Sequence, residues 1–253
     1  MKNKKSLGQN WLKDRFILDE IASLASEGVS ARFCLEIGPG LGTLTSALLR
    51  AFPEVLAVEF DANLAKNLPN SFPGKNLTVK NADFLQFDLN SIKSPYVVAA
   101  NIPYYITSPI IEKLLTTTNL PERIVLLIQK EVAERIAVKN GKNSVLSLKV
   151  QNRASVALGP GVGREFFTPP PKVDSQIIIF SPRKSPLVPE KAIELAQIGF
   201  RMPRKKLTAN LATFGGISRE KASEALKTLN LSENSRAEDL SLADWQSLQG
   251  LIS

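Results

Sequence analysis

Short apolar runs recur along the first half of the chain, at 33–37, 55–59, 77–79, 96–100 and 124–128. Between them lie stretches whose apolar residues fall three and four apart, such as Leu44, Ala47 and Leu48 within Thr43 to Arg50. Short apolar runs bounded by turns read as buried strands, and the three–four spacing reads as helix. Repeated, this is the strand–helix–strand rhythm of a mostly parallel sheet covered on both faces. Ile124-Val125-Leu126-Leu127-Ile128 is apolar at every position, as a central strand requires. Gln129 to Val138 and Asn143 to Asn152 then read as helices. Two further strand-like pieces, Ser155–Leu158 and Gln176–Phe180, are joined by a proline-rich loop. Such a link suits an antiparallel pair at the end of the sheet.

The pattern changes at Ser181-Pro182-Arg183-Lys184-Ser185-Pro186, a polar linker punctuated by prolines. Beyond it the chain predicts amphipathic helices and no strand: Glu190–Phe200, Lys205–Thr213, Arg219–Leu229 and one near Leu242–Leu251, broken at Gly215-Gly216 and Asn234-Ser235. The expected organisation is an α/β catalytic domain over 1–182 and a small helical domain over 183–253.

Composition narrows the chemistry. At 253 residues and 43% hydrophobic, the chain can bury one large core and one small one. No apolar run reaches the length of a membrane-spanning helix. The basic start, Met1-Lys2-Asn3-Lys4-Lys5-Ser6, lacks the apolar stretch of a signal peptide, so a cytoplasmic protein is expected. The single cysteine, Cys34, falls in a predicted buried strand and reads as a small core residue. Histidine is absent, which excludes Ser-His-Asp triads, Cys-His dyads and histidine-bearing zinc sites. The net charge of +8 points to a polyanionic partner, because clustered cations gain affinity by releasing phosphate counterions. Two clusters stand out: Lys2, Lys4 and Lys5, and Arg201, Arg204, Lys205 and Lys206.

Two short segments carry the candidate chemistry. Glu36-Ile37-Gly38-Pro39-Gly40-Leu41-Gly42 ends one apolar run with a glycine turn, where backbone can approach a nucleotide-type ligand closely. Alone, such a turn serves equally well as a plain strand-to-helix connection. Glu59 changes the balance. It ends the next apolar run, about twenty residues past Gly38, where a Rossmann-like sheet places a carboxylate for ribose hydroxyls. The glycine spacing, G-x-G-x-G, departs from the dinucleotide pattern and disfavours a dehydrogenase. The second segment, Asn101-Ile102-Pro103-Tyr104, closes another apolar run with an amide, a proline and an aromatic ring in one turn.

These segments resemble the cofactor and amine sites of S-adenosylmethionine-dependent methyltransferases that act on adenine N6. Nearly the whole chain resembles the bacterial small-subunit rRNA adenine N6,N6-dimethyltransferases, the KsgA type. The motifs appear in order: Ser6–Leu12 (with Trp11 where the family usually has Phe), Phe16–Asp19, Glu36–Gly42, Glu59, Asp83, Asn101–Tyr104, Gln129–Arg135 and Phe167–Ser175. The resemblance implies a seven-stranded Rossmann-like sheet with S-adenosylmethionine as cofactor. It implies the 16S rRNA of immature 30S subunits as partner, a monomer, and neither metal nor membrane.

Carried over position by position, the resemblance implies that Asn10 and Leu12 border the cofactor and that Gly38 and Gly40 approach its methionine part. Glu59 would bind the ribose, Asp83 the adenine amine, and Asn101 both cofactor and target base. Asp83 and Asn10 equally suit helix caps or turns. Adenine N6 is a poor nucleophile, since its lone pair is delocalised into the ring. Acceptors aimed at both N–H bonds, the Asn101 side-chain oxygen and the Pro103 carbonyl, would favour a pyramidal nitrogen. Tyr104 offers one stacking face and Phe167 a second, Phe167 being expected on a loop because Thr168-Pro169-Pro170-Pro171 follows at once. Two other readings stand beside this one: an Erm-type enzyme of large-subunit rRNA, and a non-catalytic ribosome-assembly factor.

Overall fold

A computed structural model of the chain describes residues 10–138 and 141–252. The cluster Lys2, Lys4 and Lys5 and the segment Ser6–Gln9 of the first motif lie outside the described residues. The chain divides into two compact units.

The first unit runs to Ala133 and takes up Ser155–Pro182. Its strands are β2 (Phe33–Ile37), β3 (Glu54–Glu59), β4 (Leu77–Asn81), β5 (Val97–Asn101), β6 (Arg123–Gln129), β7 (Ala154–Val162) and β9 (Ser175–Pro182). They form one seven-stranded sheet in the order β4-β3-β2-β5-β6-β9-β7. Neighbours from β4 through β6 are parallel, and β9 runs antiparallel to β6. The expected sheet is therefore present, and the two pieces joined by the proline-rich loop, β7 and β9, are neighbours at its end. Strands β2, β5 and β6 are buried at nearly every position, as continuous apolar runs require when both faces are covered.

Helix α1 (Arg15–Ser26) buries Leu18, Ile21, Ala22 and Ala25, a stripe at helical spacing. Asp14 caps it by accepting from the Ile17 N–H at 3.0 Å. Helix α2 (Thr43–Ala51) buries Leu44, Ala47 and Leu48, and both helices share one apolar cluster with Cys34, Val55, Val97 and Val125. Helices α3 (Ala62–Asn67) and α4 (Thr107–Thr116) follow β3 and β5. Two short strands form a separate ribbon, β1 (Trp11–Leu12) against β8 (Phe167–Thr168), with Leu12 opposite Phe167.

The second unit comprises Glu134–Ala154 and the residues from Arg183 onward. The division departs from an uninterrupted 1–182 domain. Helix α5 (Lys130–Ile136) leaves the sheet, and α6 (Val145–Arg153) buries Leu148 in the apolar cluster of the C-terminal helices. That cluster is built from α7 (Glu190–Gly199), α8 (Leu207–Gly215), α9 (Arg219–Thr228) and α10 (Leu242–Ile252), around fully buried Trp245. One amphipathic helix cannot bury its own stripe, so α6 joins whichever apolar surface accepts it. Among the described residues, no helix is long and apolar enough to cross a membrane.

Candidate active site

The parallel strands β2, β3 and β5 end side by side at Ile37, Glu59 and Asn101. Their carboxyl ends meet where the strand order reverses, the crevice in which open α/β sheets bind ligands. A cavity of about 280 Å³ lies there, lined by Asn10, Leu12, Gly38, Gly40, Glu59, Asp83, Asn101, Pro103 and Tyr104 among others. Residues far apart in sequence therefore converge because each terminates a strand of the same sheet.

The glycine turn is built for close approach. Gly38 has φ +66°, and a side chain there would meet no atom within 4 Å, so its open face belongs to the cavity. Gly40 has φ +57°, and a Cβ on it would come within 2.9 Å of Trp11 Nε1. Only glycine suits that conformation with the indole packed so near. The two carboxylate oxygens of Glu59 are directed by backbone. Gly40 N–H donates to Oε2 at 3.0 Å and Asp61 N–H donates to Oε1 at 2.8 Å. A carboxylate offers about four acceptor sites, so two remain for hydroxyl donors.

Asp83 is exposed and sits in a turn, its Oδ1 accepting from Leu85 N–H at 2.9 Å. Asp83 also lines the cavity, and its carboxylate keeps further acceptor sites beyond the turn bond. Asn101 Nδ2 donates to the Asn10 carbonyl at 3.2 Å. With its donor end committed, the amide presents Oδ1 as an acceptor. Tyr104 is half-buried, and its hydroxyl is 2.8 Å from the Oγ of fully buried Ser175. Burial raises the phenol's pKa above its ordinary value, with Ser175 opposing and Asp174 reinforcing the shift. Ser175 ends the Phe167–Ser175 motif, and this bond explains physically why the distant motif bears on the site. The Pro103 carbonyl already accepts from Ile106 N–H at 3.3 Å, which leaves it one lone pair for a ligand.

Phe167 departs from its expected place. It lies in β8 rather than on a loop, is 3% exposed, and packs in the core cluster with Leu12, Leu18 and Ile177. Pairing with Leu12 turns the ring inward, and it is not among the cavity's lining residues. The aromatic rings that do line the cavity and stand exposed are Tyr105 and Phe60.

Glu36, which opens the glycine segment and carries no assigned role in the sequence, lines the cavity at 1% exposure. Burial pushes its carboxyl up to about 8, a hydrogen bond from Thr45 Oγ1 (2.6 Å) opposes that, and nearby Glu59 adds to it. The ordinary value is 4.5. The folded state thus holds a proton that the unfolded chain has lost, so this stabilisation is complete below about pH 4.5 and declines up to about pH 8. Glu36→Gln is expected to flatten the fall in stability across that window, as read from urea midpoints at about pH 5 and about pH 8. Equal slopes in the two proteins would mean that Glu36 is ionised in the fold.

A sheet of this order, with a glycine cradle, an acid at the neighbouring strand end and an Asn-Ile-Pro-Tyr turn converging on one crevice, is that of a Rossmann-like S-adenosylmethionine-dependent methyltransferase. Its relatives sharpen the class. The family described as ribosomal RNA adenine dimethylase matches residues 1–252. A ribosomal RNA small subunit methyltransferase A from Nostoc sp. is 39% identical over 267 residues, covering 98% of this chain and 97% of the relative. The protein of the same name from Mycoplasmopsis synoviae is 40% identical over 245 residues, covering 95% and 93%. Among solved structures, a dimethyladenosine transferase from Plasmodium falciparum superposes with a TM-score of 0.79 at 30% identity, covering 94% and 95%. The 23S rRNA methyltransferase ErmE superposes at 0.76 with 28% identity, covering 96% and 99%. The chain belongs to the ribosomal RNA adenine dimethylase family, and S-adenosylmethionine is its cofactor.

Proposed function

We propose that this enzyme dimethylates N6 of two adjacent adenosines in the hairpin loop near the 3′ end of 16S rRNA, acting on the immature 30S subunit. The observation that carries the reading is the Asn101 amide: its nitrogen is tied to the Asn10 carbonyl, and the residue lines the same cavity as Gly38 and Gly40. The small subunit is favoured because the full-length relatives named for it are about 40% identical, against 28% for the 23S enzyme.

Glu59 receives the ribose hydroxyls, Asp83 the cofactor's adenine amine, and the open face of Gly38 its methionine part. When bound, S-adenosylmethionine supplies an electrophilic methyl group. Asn101 Oδ1 accepts from one N6–H of the flipped adenine, and the remaining lone pair of the Pro103 carbonyl accepts from the other. Together they favour a nitrogen whose lone pair is localised. Tyr104, held at its hydroxyl by Ser175, gives the base a face worth about 1–3 kcal/mol of stacking. No histidine base is required, since the methylated ammonium is acidic enough to give its proton to water or a carbonyl.

Methylation of immature 30S particles and of naked large-subunit rRNA, measured in parallel, tests the proposal. Labelling confined to the large-subunit RNA would reverse the choice of substrate, and labelling of neither would support an assembly factor without catalysis.

Phosphate contacts must supply most of the affinity for a large RNA, because a flipped adenine touches only the pocket. Arg201, Arg204, Lys205 and Lys206 are exposed in the second unit and are proposed to make such contacts. Replacing Arg204, Lys205 and Lys206 with Ala should weaken particle binding. It should also flatten the salt dependence by about 0.9 log unit per lost duplex contact, less on single strands. Cofactor affinity should not change. Salt titrations of equal slope and height would remove the patch from RNA binding.

A further inference from the structure

The basic segment between α7 and α8 is a built loop. Asn210, fully buried on α8, pins the backbone of Met202 at both ends. Its Oδ1 accepts from Met202 N–H at 2.8 Å and its Nδ2 donates to Met202 O at 3.0 Å. Lys205 N–H closes onto Met202 O at 3.0 Å, and Leu207 N–H is held by Ser235 O at 2.9 Å. One residue before the pinned position, the Arg201 guanidinium lies over the ring of Phe214, 5.5 Å from its centroid. Asn210 and Phe214 are four apart on α8, so one helix face sets both the loop and the arginine.

Phe214 is 41% exposed, and Arg201 and the other cations of its loop, Arg204, Lys205 and Lys206, are exposed as well. Glu233 is paired with Lys227 at 2.8 Å. A single exposed ring is too small for a protein-docking patch. A ring paired with the guanidinium of an exposed basic loop is instead a surface suited to an unpaired base. The π surfaces stack it and the charges take its neighbouring phosphates.

We infer that the Arg201–Phe214 pair is a stacking site for an unpaired RNA base, separate from the catalytic pocket. This rests on the reading that the enzyme acts on rRNA. The probes are a hairpin with the sequence of the 3′ end of the small-subunit rRNA and a fully paired duplex of equal length. Phe214→Leu keeps the aliphatic packing and removes the π face; Phe214→Trp keeps both.

The leucine variant should bind the hairpin about fivefold or more weakly at every salt concentration, with the slope unchanged, because stacking releases no counterions. The tryptophan variant should match the wild type, and duplex affinity should be the same in all three. Wild-type hairpin affinity in Phe214→Leu overturns the site. So does a loss that extends to the duplex with a reduced salt slope, since the ring would then only seat Arg201 against phosphate. A wild-type enzyme that binds neither RNA would sink the rRNA reading itself, a different outcome from an indifferent Phe214.

Discussion

Asn101→Ala is expected to lower turnover by about 100-fold or more at saturating cofactor and RNA, because its acceptor is strongest toward the amine as charge develops there. The geometry adds a stricter expectation. Asn101→Asp keeps the size and the acceptor oxygen but replaces the amide nitrogen with a second oxygen, so it cannot donate to the Asn10 carbonyl now held at 3.2 Å. An ionised carboxylate there would face a carbonyl oxygen and swing away, so the acidic variant should fail nearly as badly. Single-turnover methylation at saturating cofactor reads the chemical step directly. An aspartate variant with wild-type turnover would show that the Asn10 tether has no part in orienting the acceptor.

Replacement of Glu59 should act on binding instead. Glu59→Ala loses charge-assisted bonds worth roughly 1.5–3 kcal/mol, about a 10- to 150-fold rise in cofactor Kd. It also releases the Gly40 and Asp61 N–H groups that shape the glycine turn. Glu59→Gln is expected to be no rescue. The two backbone N–H groups point at different oxygens, and an amide has only one, so one donor would face another donor. Calorimetric titration checks both variants. Cofactor affinity close to wild type in Glu59→Gln would place the ribose contact elsewhere, and equal loss of turnover at saturating cofactor in the Glu59 and Asn101 variants would undo the division of roles.

Much of the site was legible because chemistry and punctuation coincide in the chain. Glu59 and Asn101 each close an apolar run, and a parallel sheet brings the ends of its strands to one edge. The glycine turn, the seven strands and the helical C-terminal region follow from hydrophobic period and from breakers, which are local signals. Phe167 was misplaced for the same reason. The prolines after it signal a loop, whereas its burial comes from pairing with Leu12 at the other end of the first unit.

By itself, then, the sequence determined which residues could carry the reaction: an acid at one strand end, an amide at another, glycines between, and no histidine anywhere. Tertiary structure alone decided their states and orientations. Desolvation in the closed core raises the Glu36 carboxyl to about 8, and no local pattern encodes the depth of burial. Ser175 fixes Tyr104, Asn10 fixes Asn101, and Asn210 fixes the basic loop, each through a hydrogen bond that exists only once separate elements pack. Helix α6 joins the C-terminal helices because its apolar stripe completes their core. Residue type and spacing are written in order along the chain, but burial and partner choice belong to surfaces that form only when distant segments meet.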